Sequence, residues 1–248
     1  MVDAGFLEKR EYEEVADWIQ FDSIANSYCG LARDIEKWEG RPVASEIIRS
    51  LRTPGASIRA KLVKTCKTHK PEGEITFRNI HGSSNYALAG LAHWVRKVLK
   101  EKLDEFPHLV RDSKEAVRKC MAVRTEPSDR ICTADIREYF MSGTEDELIQ
   151  DATRWFSDPL KTLLQRALSL LLSSQYVESH HFPGRLWRVV LGSGMGLPHS
   201  GEVADLAFLS RAETRIVGVW QTMSVRRYLR FKDDIIMIGI AHDLQASS

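Results

Sequence analysis

The sequence predicts an α+β fold in which an antiparallel sheet is backed by helices. Three observations carry this. Tyr228-Leu-Arg-Phe-Lys-Asp-Asp-Ile-Ile-Met-Ile238 has apolar runs on either side of two adjacent acids, the pattern of a β-hairpin with an acidic turn. Arg130-Ile-Cys-Thr-Ala-Asp-Ile136 is a short strand pattern ending in Asp135. Leu160, Leu163, Leu164, Ala167, Leu168 and Leu171 recur at helical spacing and mark a core helix.

The remaining elements follow in order. Glu11 to Gln20 and Ala32 to Trp38 have helical charge patterning, and Trp18, Phe21 and Trp38 are candidates for a small satellite core. Arg52-Thr-Pro-Gly-Ala-Ser57 carries a Pro-Gly turn signal and closes a helical N-terminal extension over residues 1–60. Residues 61–80 read as two strands around Pro71-Glu-Gly73, and Tyr86 to Leu103 as a helix with Leu88, Leu91, Ala92, Val95 and Leu99 on one face. Ser113 to Val123 is a further helix. Thr144 with Glu147 forms a capping box that opens another helix. Gln175 to Leu191 suggests a hairpin turning near Pro183-Gly184, with His180-His181 exposed. A glycine-rich loop, Gly192-Ser-Gly-Met-Gly-Leu-Pro-His-Ser200, precedes a helix with Ser200 as candidate N-cap.

Composition bounds the function. At 248 residues, 43% hydrophobic and 28% charged, the chain is an ordinary globular protein with length for a sizeable core. The net charge of +1 hides a split. Residues 1–40 carry 4 Lys/Arg and 10 Asp/Glu, whereas residues 41–100 carry 12 Lys/Arg and 3 Asp/Glu. Such a basic block can neutralise several phosphates, or it can be solvated surface offset by its acidic neighbour. Cys29, Cys66, Cys120 and Cys132 show no Cys-x-x-Cys spacing, which points away from a zinc ribbon or a redox motif. Four free thiols, no signal-peptide profile and no membrane-length apolar run predict an intracellular protein, nuclear or cytoplasmic, that is not secreted.

Asp135, Asp233 and Asp234 are the candidate chemical groups. An isolated Asp-Asp pair is more often a solvated turn. A strand-end acid that neighbours such a turn would instead make a three-carboxylate site for hard cations. The glycine loop admits the same two readings, as a plain turn or as backbone that approaches a nucleotide or template closely.

The order of these segments resembles a reverse transcriptase palm. Asp135 with Phe140 resembles the first catalytic motif, Met195-Gly-Leu-Pro-His-Ser-Gly-Glu-Val-Ala-Asp-Leu206 the second, and Arg230-Phe-Lys-Asp-Asp-Ile235 the aromatic-x-Asp-Asp motif. Lys67-Thr-His-Lys-Pro71 and Phe77-Arg-Asn-Ile80 resemble basic fingers motifs. Among reverse transcriptases the chain looks most like Penelope-like retroelements, which carry a Lys-x-His-Lys-Pro segment, a Met-Gly-x-Pro-x-Ser-x-x-x-Ala-Asp segment and an aromatic residue, here Trp187, before the glycine loop. The resemblance covers about residues 61 to 240. Cys66 and Asn79 stand where that family usually has proline, Val189 where it commonly has glutamine, and Lys232 where an apolar or small residue is usual. By strand alternation Lys232 is expected to point away from Asp233 and leave the acids clear.

The resemblance implies a fingers region over residues 61–125, a palm over 126–248, and a missing thumb. It implies RNA-directed DNA synthesis on an RNA template and DNA primer, without a membrane partner. Asp135 and Asp233, supported by Asp234, would hold two Mg²⁺ ions, with Mn²⁺ able to substitute. Lys67, Lys70 and Arg78 would bind the dNTP triphosphate. Gly196 and Ser200 would shape the nucleotide floor, and Phe140 would lie under the sugar. Reverse transcriptases continue past this hairpin into a primer-gripping segment and thumb, whereas Ser248 lies 14 residues after Asp234. The expectation is therefore a fragment or truncated gene product. Two alternatives stand beside it: an RNA-templated RNA polymerase, and a decayed palm that binds nucleic acid without chemistry.

Overall fold

The computed structural model describes residues 10–15, 21–66, 77–216 and 225–240. The fold is α+β. A five-stranded sheet has the order β1-β6-β5-β2-β3, from β1 (Tyr12–Val15), β2 (Arg59–Cys66), β3 (Phe77–Gly82), β5 (Tyr176–Glu178) and β6 (Leu186–Val189). A three-stranded sheet has the order β4-β8-β7, from β4 (Asp129–Asp135), β7 (Val225–Phe231) and β8 (Asp234–Ile240). The five-stranded sheet curls until its edges meet. The hydroxyl of Tyr12 on β1 lies 3.0 Å from His81 Nε2 on β3. Burial lowers the His81 pKa to about 4, so the ring is neutral near pH 7.

The helices are α1 (Phe21–Glu39), α2 (Arg41–Leu51), α3 (Ala89–Leu103), α4 (Ser113–Met121), α5 (Glu145–Thr153), α6 (Leu160–Ser173) and α7 (Ser200–Phe208), which runs on into a π-helical turn at Leu209–Glu213. The leucine stripe predicted between Leu160 and Leu171 is α6, and Leu164, Ala167, Leu168 and Leu171 are fully buried. It shares one apolar cluster with Tyr28, Leu31 and Ile35 of α1, Leu91 and Leu99 of α3, and Val203 and Leu206 of α7. The helices of the N-terminal extension thus pack into the same core as the rest of the chain. The Tyr28 hydroxyl joins three helices: it donates to Ile47 O at 2.8 Å and accepts from Leu91 N at 3.0 Å.

The N-terminal segment departs from the expectation. Tyr12–Val15 is a strand rather than part of a helix, paired antiparallel to β6 from Tyr12↔Val189 to Val15↔Leu186. Glu13 and Glu14 meet Arg188 and Arg185 across the pair, at 3.3 and 2.5 Å. The acids mimic helical spacing, but their partners lie more than 170 residues away. Of the residues expected in a satellite core, Phe21 and Trp38 are exposed, and Trp18 lies outside the described residues. Pro71-Glu-Gly73 lies outside them too, although β2 and β3 pair as predicted, from Lys61↔Gly82 to Cys66↔Phe77.

The capping box at α5 is present. Thr144 Oγ1 accepts from Glu147 N at 3.4 Å, and Glu147 Oε2 accepts from Thr144 N at 2.8 Å. Thr144→Ala is therefore expected to lower stability by about 1 kcal/mol in urea denaturation, while Thr144→Ser leaves it nearly unchanged. No helix among the described residues is long and apolar enough to cross a membrane. All four cysteines are free.

A carboxylate-bearing hairpin as the candidate active site

β7 and β8 form the hairpin predicted around the two acids, with Phe231 paired to Asp234 and Lys232-Asp233 as its turn. β4 lies on the other side of β8, with Asp135 directly opposite Asp234. The Ile136 N–H donates to Asp233 O at 2.9 Å, so the turn itself is fastened to the end of β4. Directly opposed residues of antiparallel strands project from the same face. Asp135, Asp234 and Phe231 therefore share one face at one end of the sheet. The opposite face carries Tyr228, Ile235 and Met237, which pack with Phe208 at the end of α7.

Electrostatics registers the crowding of acids. The Asp234 carboxyl is pushed above its ordinary value, first by partial burial and then by the charges of Asp233 and Asp135. A bound dication would relieve that repulsion, and carboxylate oxygens are the donors a hard cation prefers. The donor chemistry thus fits Mg²⁺. The side chains are not gathered around a centre: among the described residues no group of three or more His, Cys, Asp or Glu is arranged to hold a metal ion.

The turn rests on a buried polar cluster that the sequence reading did not find. Arg230 is 1% exposed. Its Nε and Nη2 donate to the two carboxylate oxygens of Glu213, at 2.7 and 2.9 Å. Its Nη1 donates to Asp205 Oδ1 at 2.6 Å and to the Lys232 carbonyl at 3.0 Å. Tyr228 donates to Glu213 at 2.7 Å, and Tyr139 donates to Asp205. Burial alone would raise the Glu213 pKa, but the hydrogen bonds from His108 and Arg230 outweigh it and hold the carboxyl down to about 2. Lys232 adopts φ +53°, a left-handed conformation that costs a non-glycine residue about 1–2 kcal/mol. Its carbonyl and its ammonium are both held, the latter 2.5 Å from Asp205 Oδ2. The Lys232 ammonium pairs with Asp205 and Glu202 of α7, and the residue sits in a turn conformation rather than in strand alternation.

The glycine-rich loop joins the segment after Asp135 to β3 of the five-stranded sheet. Gly192 N donates to Gly143 O at 2.8 Å, and Ser193 N donates to Phe140 O at 2.7 Å. Gly192 has φ +81°, and a Cβ there would collide with the Met141 backbone. On the other side His81 N donates to Met195 O at 2.7 Å. Gly196 has φ +106°, and a Cβ there would lie 2.7 Å from His81 O. Gln175, another residue missed in the sequence, clamps the loop by accepting from Gly194 N at 2.7 Å and donating to Gly192 O at 3.3 Å.

Other predicted site residues distribute unevenly. Lys67 and Lys70 lie outside the described residues. Arg78 is exposed on β3, opposite Thr65. Phe140 is half-buried and edge-on to Tyr139, in the wall of a cavity of about 50 Å³ with Ser193, Ala204, Phe208 and Arg211. Ser200 is almost fully buried and begins α7 behind its N-cap, His199, instead of capping it. Its hydroxyl is engaged with Gly194 O and Ser193 Oγ, both at 2.8 Å, so it shapes the loop from within.

Neither a family model nor a curated protein matches the sequence. Solved structures do. A Candida tropicalis telomerase truncated from its C-terminal domain matches at 15% identity with TM-score 0.58, over 76% of this chain and 45% of its own. A Candida albicans telomerase in complex with the TWJ fragment of telomeric RNA matches at 11% identity with TM-score 0.54, over 76% of this chain and 39% of its own. The BmCPV RNA-dependent RNA polymerase matches at 13% identity with TM-score 0.54, over 92% of this chain and 22% of its own. The chain spans less than half the length of each. At such identities the likeness is one of fold: this chain has the α+β architecture of polymerases, with a three-stranded palm-like sheet backed by helices.

Proposed function

We propose that the chain is the fingers–palm portion of a template-directed nucleotidyltransferase of the reverse transcriptase type. The carrying observation is the pairing of β4 with β8, which brings Asp135 beside Asp233 and Asp234 from about a hundred residues away. The polymerase-like fold and the motif order that resembles Penelope-like elements support the same reading. Asp135 and Asp233, with Asp234 beside them, would hold two Mg²⁺ or Mn²⁺ ions. When bound, such ions activate the attacking oxygen and neutralise the leaving one. The primer 3′-hydroxyl would attack the α-phosphate of a dNTP and release pyrophosphate. Arg78, with Lys67 and Lys70, would neutralise the triphosphate, whose dispersed negative charge needs fixed cations. Phe140 would lie against the sugar and exclude a 2′-hydroxyl.

The RNA-polymerase neighbour favours a second reading, RNA synthesis on the same palm. Primer extension on an RNA template with matched dNTP and rNTP pools separates the two, using a chain extended beyond Ser248 by a thumb segment. Incorporation of dNMP supports reverse transcription, and incorporation of rNMP alone supports the RNA polymerase. Nucleic-acid binding with no incorporation from either pool identifies a decayed palm. Arg78→Glu is expected to weaken nucleotide or nucleic-acid binding and to reduce the slope of log K against log salt by about 1 or more. An unchanged slope would show that Arg78 is plain solvated surface.

A further inference from the structure

Lys232 poses a problem for a cation site. It precedes Asp233 in a two-residue turn, and its flexible four-carbon stem carries a compact positive charge. An ammonium among three carboxylates would neutralise them and compete with a divalent ion. The ammonium instead pairs with acids of α7, 2.5 Å from Asp205 Oδ2 and 3.9 Å from Glu202 Oε1. Three features direct it there. The left-handed backbone at Lys232, held by Arg230 at its carbonyl, turns the stem toward α7. Asp205 is oriented through its other oxygen, which accepts from Arg230 and Tyr139 and leaves Oδ2 for the lysine. Gly201 opens the path, since a Cβ there would lie 3.0 Å from the lysine nitrogen. The lysine ends in the wall of a cavity of about 300 Å³ that Asp205, Glu202 and Arg96 also line.

We infer that Asp205 is a charge sink that holds the Lys232 ammonium away from Asp135, Asp233 and Asp234 and so keeps those carboxylates available to a divalent cation. This rests on the reading of the three acids as metal ligands. Asp205 is a positioning residue here, acting only through Lys232. It reconciles a lysine at this position, where the resembling family usually has an apolar or small residue, with an intact acidic cluster.

Titration of the full chain with Mn²⁺, followed by electron paramagnetic resonance of the free ion, tests the assignment without any turnover. Asp205→Asn is expected to weaken Mn²⁺ binding by about three- to tenfold, the scale of one partly screened unit charge at the site. Lys232→Met alone should leave the affinity unchanged or slightly tighter. The double variant Asp205→Asn/Lys232→Met should recover wild-type affinity, which a purely structural loss at Asp205 would not do. Asp205 also pairs with buried Arg230, so Gly201→Val serves as a second route: it crowds the ammonium without substituting any residue of the cluster. It too should weaken Mn²⁺ binding and be rescued by Lys232→Met. Asp233→Asn separates the two layers of the argument. If it leaves Mn²⁺ binding intact, the acids are not the metal site, and the underlying reading fails. If it removes binding but neither Asp205→Asn nor Gly201→Val weakens it, or Lys232→Met rescues neither, the sink is overturned.

Discussion

Arg230→Met is expected to destabilise the protein by about 3–5 kcal/mol, measured as a shift in the urea midpoint with an unchanged m-value. The magnitude follows from what the substitution leaves behind. Glu213 is fully buried, and its two carboxylate oxygens each accept from Arg230. Without the guanidinium that charge keeps Tyr228 and the nearby His108 as partners. Asp205 loses a 2.6 Å bond, and the Lys232 carbonyl loses its 3.0 Å donor at the left-handed turn. Removing Glu213 as well, in Arg230→Met/Glu213→Leu, should recover much of the loss, because the uncompensated charge goes with it.

The pH dependence has a definite sign. In the native protein the Glu213 carboxyl is held down to about 2, below the roughly 4.3 of an unfolded glutamate. Its contribution is fully present above the unfolded value and is lost as pH falls toward 2. In Arg230→Met the hydrogen bonds and charge of Arg230 no longer oppose burial beside the His108 hydrogen bond, so the Glu213 carboxyl should rise and the deficit should shrink as acid protonates it. A loss below about 1 kcal/mol at pH 7, or a deficit that does not change with pH, would show that the buried charge is satisfied by other means.

The second large effect belongs to the proposed chemistry. In a thumb-containing extension of this chain, Asp233→Asn is expected to reduce primer extension by at least about 10²–10³-fold, the range for removing one preorganised electrostatic partner of a transition state. Asn keeps the shape of the turn and the Asp233 carbonyl that accepts from Ile136, so the backbone junction survives. Only the charge is lost. In the same extended chain Phe140→Ala should admit rNTPs, because the half-buried ring is the bulk proposed to exclude a 2′-hydroxyl. Extension that survives Asp233→Asn, or sugar selectivity untouched by Phe140→Ala, would show that these roles are misassigned.

Local interactions were legible in the sequence. The Thr144–Glu147 capping box, the leucine stripe of α6 and the Asp233-Asp234 hairpin each appear where the residues place them. In each case the interacting groups lie within a turn or two of chain, or follow one periodicity, so residue type and spacing carry the information. The α+β class follows from such elements, and the motif order points to which strands become neighbours.

Only the tertiary structure decided the rest, because its determinants are separated along the chain. Tyr12–Val15 is a strand because β6 supplies its hydrogen bonds and Arg185 and Arg188 supply its counter-charges. Ser200 gives up its expected capping role because the folded-back loop offers Gly194 O and Ser193 at hydrogen-bond distance. Arg230 reads as one more surface cation in Arg226-Arg-Tyr-Leu-Arg230 until the fold places it between Asp205 and Glu213. A faint signal existed: Tyr228 and Arg230 share a strand face, and the two acids lie eight residues apart on one helical stretch. Whether a charge is buried is a property of everything packed around it. The sequence alone therefore determined most of the elements and the acids they display, and the assembled fold determined the class of Tyr12–Val15 and which cations hold the elements in place.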